Sequence, residues 1–152
     1  MPRPLRILAS NGFYHVFNRS NNRRSINLAD QTFDFFLYLL NYLTSAYKVN
    51  IFSYCLMKNH YHLFLQTLSP NLDKAMKFFG ENYSRFINKS CNSSGPAFNT
   101  RYKSKLVTDD ISLLQVLRYI HLNPLEAGIV DNFKDYTWSS ISEYLSEYKR
   151  FH

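Results

Sequence analysis

A β-α-β-β-α-β-α order of hydrophobic periodicities predicts an α+β domain built on an antiparallel sheet. Three observations carry that expectation. Residues 12–20, GFYHVFNRS, alternate, with Phe13, His15 and Phe17 on one side and Tyr14, Val16 and Asn18 on the other. Residues 49–57 (VNIFSYCLM) and 60–67 (HYHLFLQT) are apolar runs joined by Lys58 and Asn59 alone, the pattern of a hairpin. Two long amphipathic stretches fall between the strands, at 29–48 and 69–90.

The remaining elements follow in order. SNNRRSIN reads as a polar, basic loop after the first strand. The helix over 29–48 is rich in aromatics, with Asp30 as its expected cap. The helix over 69–90 starts at Ser69 or Asn71 and places Leu72, Ala75, Met76, Phe79, Tyr83, Phe86 and Ile87 along one stripe. CNSSGPAFNT is a loop, and 101–108 (RYKSKLVT) is a basic strand. A third helix over 109–124, capped by Asp109 or Asp110, is expected to be interrupted at Pro124, and a short helix near 139–148 to close the chain. This order is that of a ferredoxin-like, split βαβ domain spanning 1–152, with helices on one face of the sheet and the other face open to a ligand or a further element.

Composition narrows the function classes. The 152 residues carry a net charge of +7, from 18 Lys and Arg against 11 Asp and Glu, and include 13 Phe and 12 Tyr. The basic residues are spread over several segments, including Arg3 and Arg6, Arg85 and Lys89, and the groups discussed below. A basic, aromatic-rich chain points to a polyanionic partner, nucleic acid first. No run approaches the ~18 apolar residues of a membrane span, and the N-terminal apolar stretch is too short for a signal peptide. A soluble, cytoplasmic protein with no membrane partner is expected. Cys55 and Cys91 fit neither a metal spacing nor a disulfide framework and read as structural thiols.

His60 and His62 are i and i+2 on one strand, so both point to one face with Tyr61 on the reverse. Neutral imidazoles so placed can bind one divalent metal and leave positions for phosphate oxygens and water. The competing reading is two half-exposed histidines with no metal. In LRYIHLNP, Tyr119 and Asn123 are i and i+4 and share a helix face, whereas His121 lies roughly 200° around from Tyr119. Tyr119 is a candidate phenolic nucleophile, against the reading of a core aromatic. Asn123 is a candidate third metal ligand through its amide oxygen. It is equally a helix cap, because NPLE has the form of a capping box with Pro124 and Glu126 following. Tyr83, in ENYSRFIN, competes with Tyr119 as the reactive tyrosine. Arg101, Lys103 and Lys105 alternate on one strand face and suit phosphate tracking, and Arg19, Arg23 and Arg24 suit contacts to a nucleic-acid hairpin.

YHVFNRS, YCLMKNHYHLFLQT, RYKSKLV, LRYIHLNPLEAGIV and DYTWSS occur in this order over about residues 12–141. The set resembles the HUH-type single-tyrosine transposases, most closely the REP-associated tyrosine transposase branch. The resemblance implies that His60 and His62 hold Mg²⁺ or Mn²⁺, that Tyr119 attacks the scissile phosphate of single-stranded DNA beside a hairpin, and that Asn123 completes the metal shell. It implies a 5′-phosphotyrosine intermediate that a second 3′-OH reverses, in a monomer or a homodimer that exchanges the tyrosine helix. The chain departs from the family pattern at Tyr61, which is bulky for the middle of the histidine pair. It has Lys58 where the family commonly has proline, and AFNTRYKS lacks the usual glutamine–glycine pair. A non-catalytic nucleic-acid-binding domain of the same fold, or a phosphodiesterase using water, is the alternative.

Overall fold

The computed structural model describes residues 6–151, with side chains through residue 146; Arg3 lies outside the described residues. The chain runs β1 (Gly12–Arg19), a short 3-10 turn (Asn21–Arg23), α1 (Asp30–Ala46), β2 (Val49–Leu56), β3 (His60–Thr67), α2 (Leu72–Cys91), β4 (Lys103–Val107), α3 (Asp110–Glu126), a second 3-10 turn (Phe133–Asp135) and α4 (Ile141–Phe151). The four strands form one antiparallel sheet in the order β2-β3-β1-β4. The two central strands are thus β1 and β3, which carry the alternating run and the histidine pair.

Side-chain alternation divides the sheet between two layers. Tyr14, Val16, Tyr61, Leu63 and Leu65 pack against Phe36, Leu39, Leu43, Phe79 and Tyr83 of α1 and α2 in the larger core. Cys55, Phe64 and Val107 face the other way and pack with Ile120 of α3 and with Tyr136 in a smaller core. The third helix therefore lies on the face that α1 and α2 leave open. This is also the face of His60 and His62.

The C-terminal segment fixes α3 in place. Ser139 bridges to Cys55 at the edge of β2. The Leu56 N–H donates to the Trp138 carbonyl at 2.8 Å, and the Ser140 N–H to the Tyr54 carbonyl at 3.0 Å. Ser140 in turn meets Nε2 of His121 at 2.7 Å. Burial pushes His121 down to about 4, which keeps this structural histidine neutral. His121 thus takes the back of α3, on the side away from Tyr119, as the helical angle requires.

Helix ends differ from the sequence expectations in two places, at Asp30 and at Pro124. Asp30 lies inside the first turn of α1, whose cap position is Ala29 with no side-chain bond; its Oδ1 instead accepts from the Trp138 indole at 3.2 Å. Asn71 occupies the cap of α2 as expected, and its amide donates to the Tyr47 carbonyl at 2.9 Å. Asp109 does cap α3, accepting from the Ser112 N–H at 2.8 Å. The largest correction concerns Pro124. The helix is not broken there and no new helix starts. It continues to Glu126, with the Ala127 N–H bonded to the Asn123 carbonyl at 2.9 Å. It then closes with Gly128 (φ 72°) donating to Leu125 and Ile129 donating to Pro124, each at 3.0 Å. Proline forfeits one intrahelical bond, and a closed C-terminal turn two residues later limits that loss. Asn123 is therefore interior to the helix and does not cap one, which leaves its side chain free for the site.

Candidate active site

β1, β3, β4 and α3 enclose a cleft of about 680 Å³ that includes Arg19, His60, His62, Lys103, Tyr119 and Asn123. Each strand contributes through register. Phe17 pairs with His62, and Arg19 lies directly opposite His60. The two histidine rings stand 5.3 Å apart at right angles, while Tyr61 between them is 1% exposed in the opposite core. From α3, the Tyr119 ring meets His62 edge-on at 5.4 Å. The Tyr119 side chain is 43% exposed and so accessible to a substrate. One helical turn on, Asn123 lines the same cleft as His60. The i, i+4 pairing on α3 thus delivers both groups to the histidines of the same chain.

Both rings are tied at Nδ1. His60 Nδ1 lies 2.8 Å from Asn59 Oδ1, and His62 Nδ1 lies 3.0 Å from Nε2 of His15. Burial lowers the pKa of His60, the neighbouring Asn123 opposes this and the charge on Arg19 adds to it. Burial takes His62 to about 3, helped by His15, His60 and Arg19. Burial, then the charge on Lys105, takes His15 to about 4. The pair is neutral near pH 7 and retains ring lone pairs, as metal ligation requires. Among the described residues no cluster of three His, Cys, Asp or Glu side chains is arranged to hold a metal ion. Asn123 lines the cleft with both histidines, so its amide oxygen is a candidate third donor. Two imidazoles and an amide oxygen suit a divalent ion with positions left open for substrate.

The competing tyrosine is excluded by position. Tyr83 is fully buried in the α1–α2 core and its hydroxyl donates to the Ile26 carbonyl. The basic candidates separate into groups. Arg19 and Lys103 line the cleft. Lys105 lies opposite His15 on β4, with its ammonium 5.9 Å from the Phe17 ring. Arg101 precedes β4, so it does not continue the strand alternation, and it lines a neighbouring cavity of about 940 Å³ with Arg6, Arg85 and Tyr102. Arg23 and Arg24 lie outside the cleft, and Arg24 hydrogen-bonds Ser93. Sequence reasoning missed two residues at the site. Asn59 read only as a turn residue, and the only indication for His15 was its place beside Phe17 in the strand phase.

The fold and site define a ferredoxin-like α+β protein in which a tyrosine on a helix faces a histidine pair on a central strand of the sheet. Comparison places it more closely. The model of the family "Transposase IS200 like" matches residues 9–123, and the chain belongs to that family; transposase function follows at that level. A Haemophilus influenzae protein described as "Putative REP-associated tyrosine transposase" is 26% identical over 134 residues, covering 76% of each chain. Among solved structures, a REP-associated tyrosine transposase bound to a REP hairpin superposes with a TM-score of 0.83 at 15% identity, over 96% of this chain and 86% of that one. A putative transposase from Deinococcus radiodurans superposes with a TM-score of 0.50 at 16% identity, over 79% of this chain and 94% of that one. At these identities the structures speak for the fold, which they share. Among the described residues no helix is long and apolar enough to cross a membrane.

Proposed function

We propose that the chain cuts and rejoins single-stranded DNA with Tyr119 as nucleophile, in the HUH manner, in the cytoplasm. One observation carries the proposal: Tyr119 stands exposed against His62, in a cleft it shares with His60 and Asn123. The phenolic oxygen forms a bond to phosphorus and the bond to the 3′ oxygen breaks. That oxygen leaves as a 3′-OH, taking up the equivalent of the phenolic proton, and the 5′ phosphate stays on Tyr119. A second 3′-OH reverses the exchange and joins the strands. One P–O ester replaces another, so no nucleotide hydrolysis is needed.

His60, His62 and the Asn123 amide would hold Mg²⁺ or Mn²⁺. A divalent ion held there would supply polarisation of a phosphate oxygen and offset charge in the transition state. Arg19 and Lys103 line the same cleft and bind flanking phosphates. Lys105 extends this basic surface along β4, with Arg23, Arg24 and Arg101 contacting more distant parts of the DNA. The proposed substrate carries a hairpin, by analogy with the structural relative that is bound to a REP hairpin. Tyr119 reaches the histidines of its own chain, which supports a site that is complete in a monomer, although a homodimer is also compatible with it.

The test is incubation of the protein with Mn²⁺ and end-labelled, hairpin-bearing single strands. The expected result is cleavage with an SDS-resistant protein–DNA adduct that EDTA abolishes. Cleavage without any adduct would assign the attack to water and overturn the nucleophile. Binding without cleavage across a broad panel would make the chain a DNA-binding relative.

A further inference from the structure

His15 is 8% exposed and His62 6% exposed, and the two rings share one hydrogen bond across the β1–β3 ladder. Of these two histidines, the proposed reaction has so far used only His62. His15 pairs with Phe64, so its ring reaches diagonally to His62. The same ring lies edge-on to Tyr119 at 5.8 Å. A bond between two neutral imidazoles has two arrangements. In the first, His62 donates from Nδ1, and its Nε2 lone pair is open. In the second, His15 donates from Nε2, the His62 proton sits on Nε2, and His62 has no lone pair left for a ligand. Only the first is compatible with His62 as a metal ligand.

We propose that His15 is a positioning residue: it accepts from His62 Nδ1, holds that ring with Nε2 free for a divalent cation, and backs the Tyr119 ring. Asn59 does the corresponding work for His60 through its Oδ1. Each ring of the pair is thus held from behind by a different side chain. Such partners fix the tautomer and orientation of a metal-bound histidine, and their loss typically lowers metal affinity by about 10–100-fold. The proposal rests on the reading of His60 and His62 as a metal-holding pair.

Mn²⁺ titration by calorimetry, with no DNA present, separates the two ideas. The wild-type chain, His15→Leu, His15→Gln and His60→Ala are compared. Leucine removes the acceptor, while glutamine puts an amide oxygen near the place of Nε2. His15→Leu should bind Mn²⁺ about 10–100-fold more weakly, and His15→Gln should recover most of the loss. Wild-type binding that His60→Ala abolishes and His15→Leu leaves unchanged would overturn the role of His15 and leave the metal pair standing. Wild-type binding no tighter than that of His60→Ala would overturn both. If His15→Leu does not fold, long-range ¹H–¹⁵N NMR of the wild type with Mg²⁺ decides. A proton on His62 Nδ1 supports the assignment, and a proton on His62 Nε2 overturns it.

Discussion

The two faces of the sheet use aromatic and imidazole rings to opposite ends. Against α1 and α2, Phe36, Tyr61, Phe79, Tyr83 and Phe98 close into a network of edge-on and stacked rings with almost no exposure. On the α3 face one end is packed with aromatic rings, where Phe13 stacks on Phe52 and Phe64 and those two meet at a tilt. At the other end the rings are His15, His60, His62 and Tyr119, and the layer stays open as a cleft. One side of the sheet therefore supplies stability. The other holds polar rings in fixed positions, at the cost of burying imidazoles that must remain neutral.

Substitutions should separate the two faces. Tyr119→Phe should lower DNA cleavage on the order of 10³–10⁶-fold. Because the side chain is partly exposed, the free energy of unfolding should change by no more than ~0.5 kcal/mol. Phe36→Ala should do the reverse. Loss of a fully buried ring costs about 3–5 kcal/mol, which lowers the thermal midpoint by roughly 10 °C and leaves the activity of the folded fraction intact. A large loss of stability in the first variant, or of activity per folded molecule in the second, would break the division.

Asn123→Ala sharpens it within α3. Mn²⁺ affinity should fall at least roughly tenfold with little change in stability, since Asn123 is interior to the helix and alanine is well tolerated there. A loss of about 1 kcal/mol of stability with unchanged metal affinity would make Asn123 a structural residue and overturn its role as a ligand.

Acid should weaken the open face first. His15, His62 and His121 have pKa values lowered to about 4, 3 and 4 in the folded state, against about 6.5 when unfolded. Between those values the unfolded chain binds more protons, so stability is full above about pH 6.5 and falls as pH drops toward 4. Thermal unfolding between pH 7 and pH 4 checks this, and a flat midpoint would contradict it. The smallest expected effect is in DNA binding. Lys103→Ala should reduce the salt dependence of single-strand binding by about 0.7 in slope, and Arg24→Ala should do less because its guanidinium is engaged with Ser93 outside the cleft.

Much of this division was legible in the sequence. Alternation in GFYHVFNRS and HYHLFLQT assigned each residue to the correct face, and the helical angle separated Tyr119 and Asn123 from His121. Register was not legible. That Phe17 pairs with His62, and that His15 therefore reaches His62 diagonally, depends on how β1 slides against β3. The role of Asn59 depends on the side-chain geometry of the tight turn. Pro124 was misread because local rules favour a break before proline, while Ala127, Gly128 and Ile129 satisfy the helix end beyond it. The Ser139–Cys55 bridge and the His121–Ser140 bond, which hold α3 on the sheet, have no sequence pattern of their own.

The central claim is that Tyr119 is the residue on the open face that becomes joined to DNA. Protease digestion of the adduct formed with Mn²⁺, followed by mass spectrometry, tests it most directly. The account predicts a nucleotide mass on the peptide containing Tyr119 and no adduct from Tyr119→Phe. A nucleotide on any other tyrosine, or an adduct that persists in Tyr119→Phe, would contradict it.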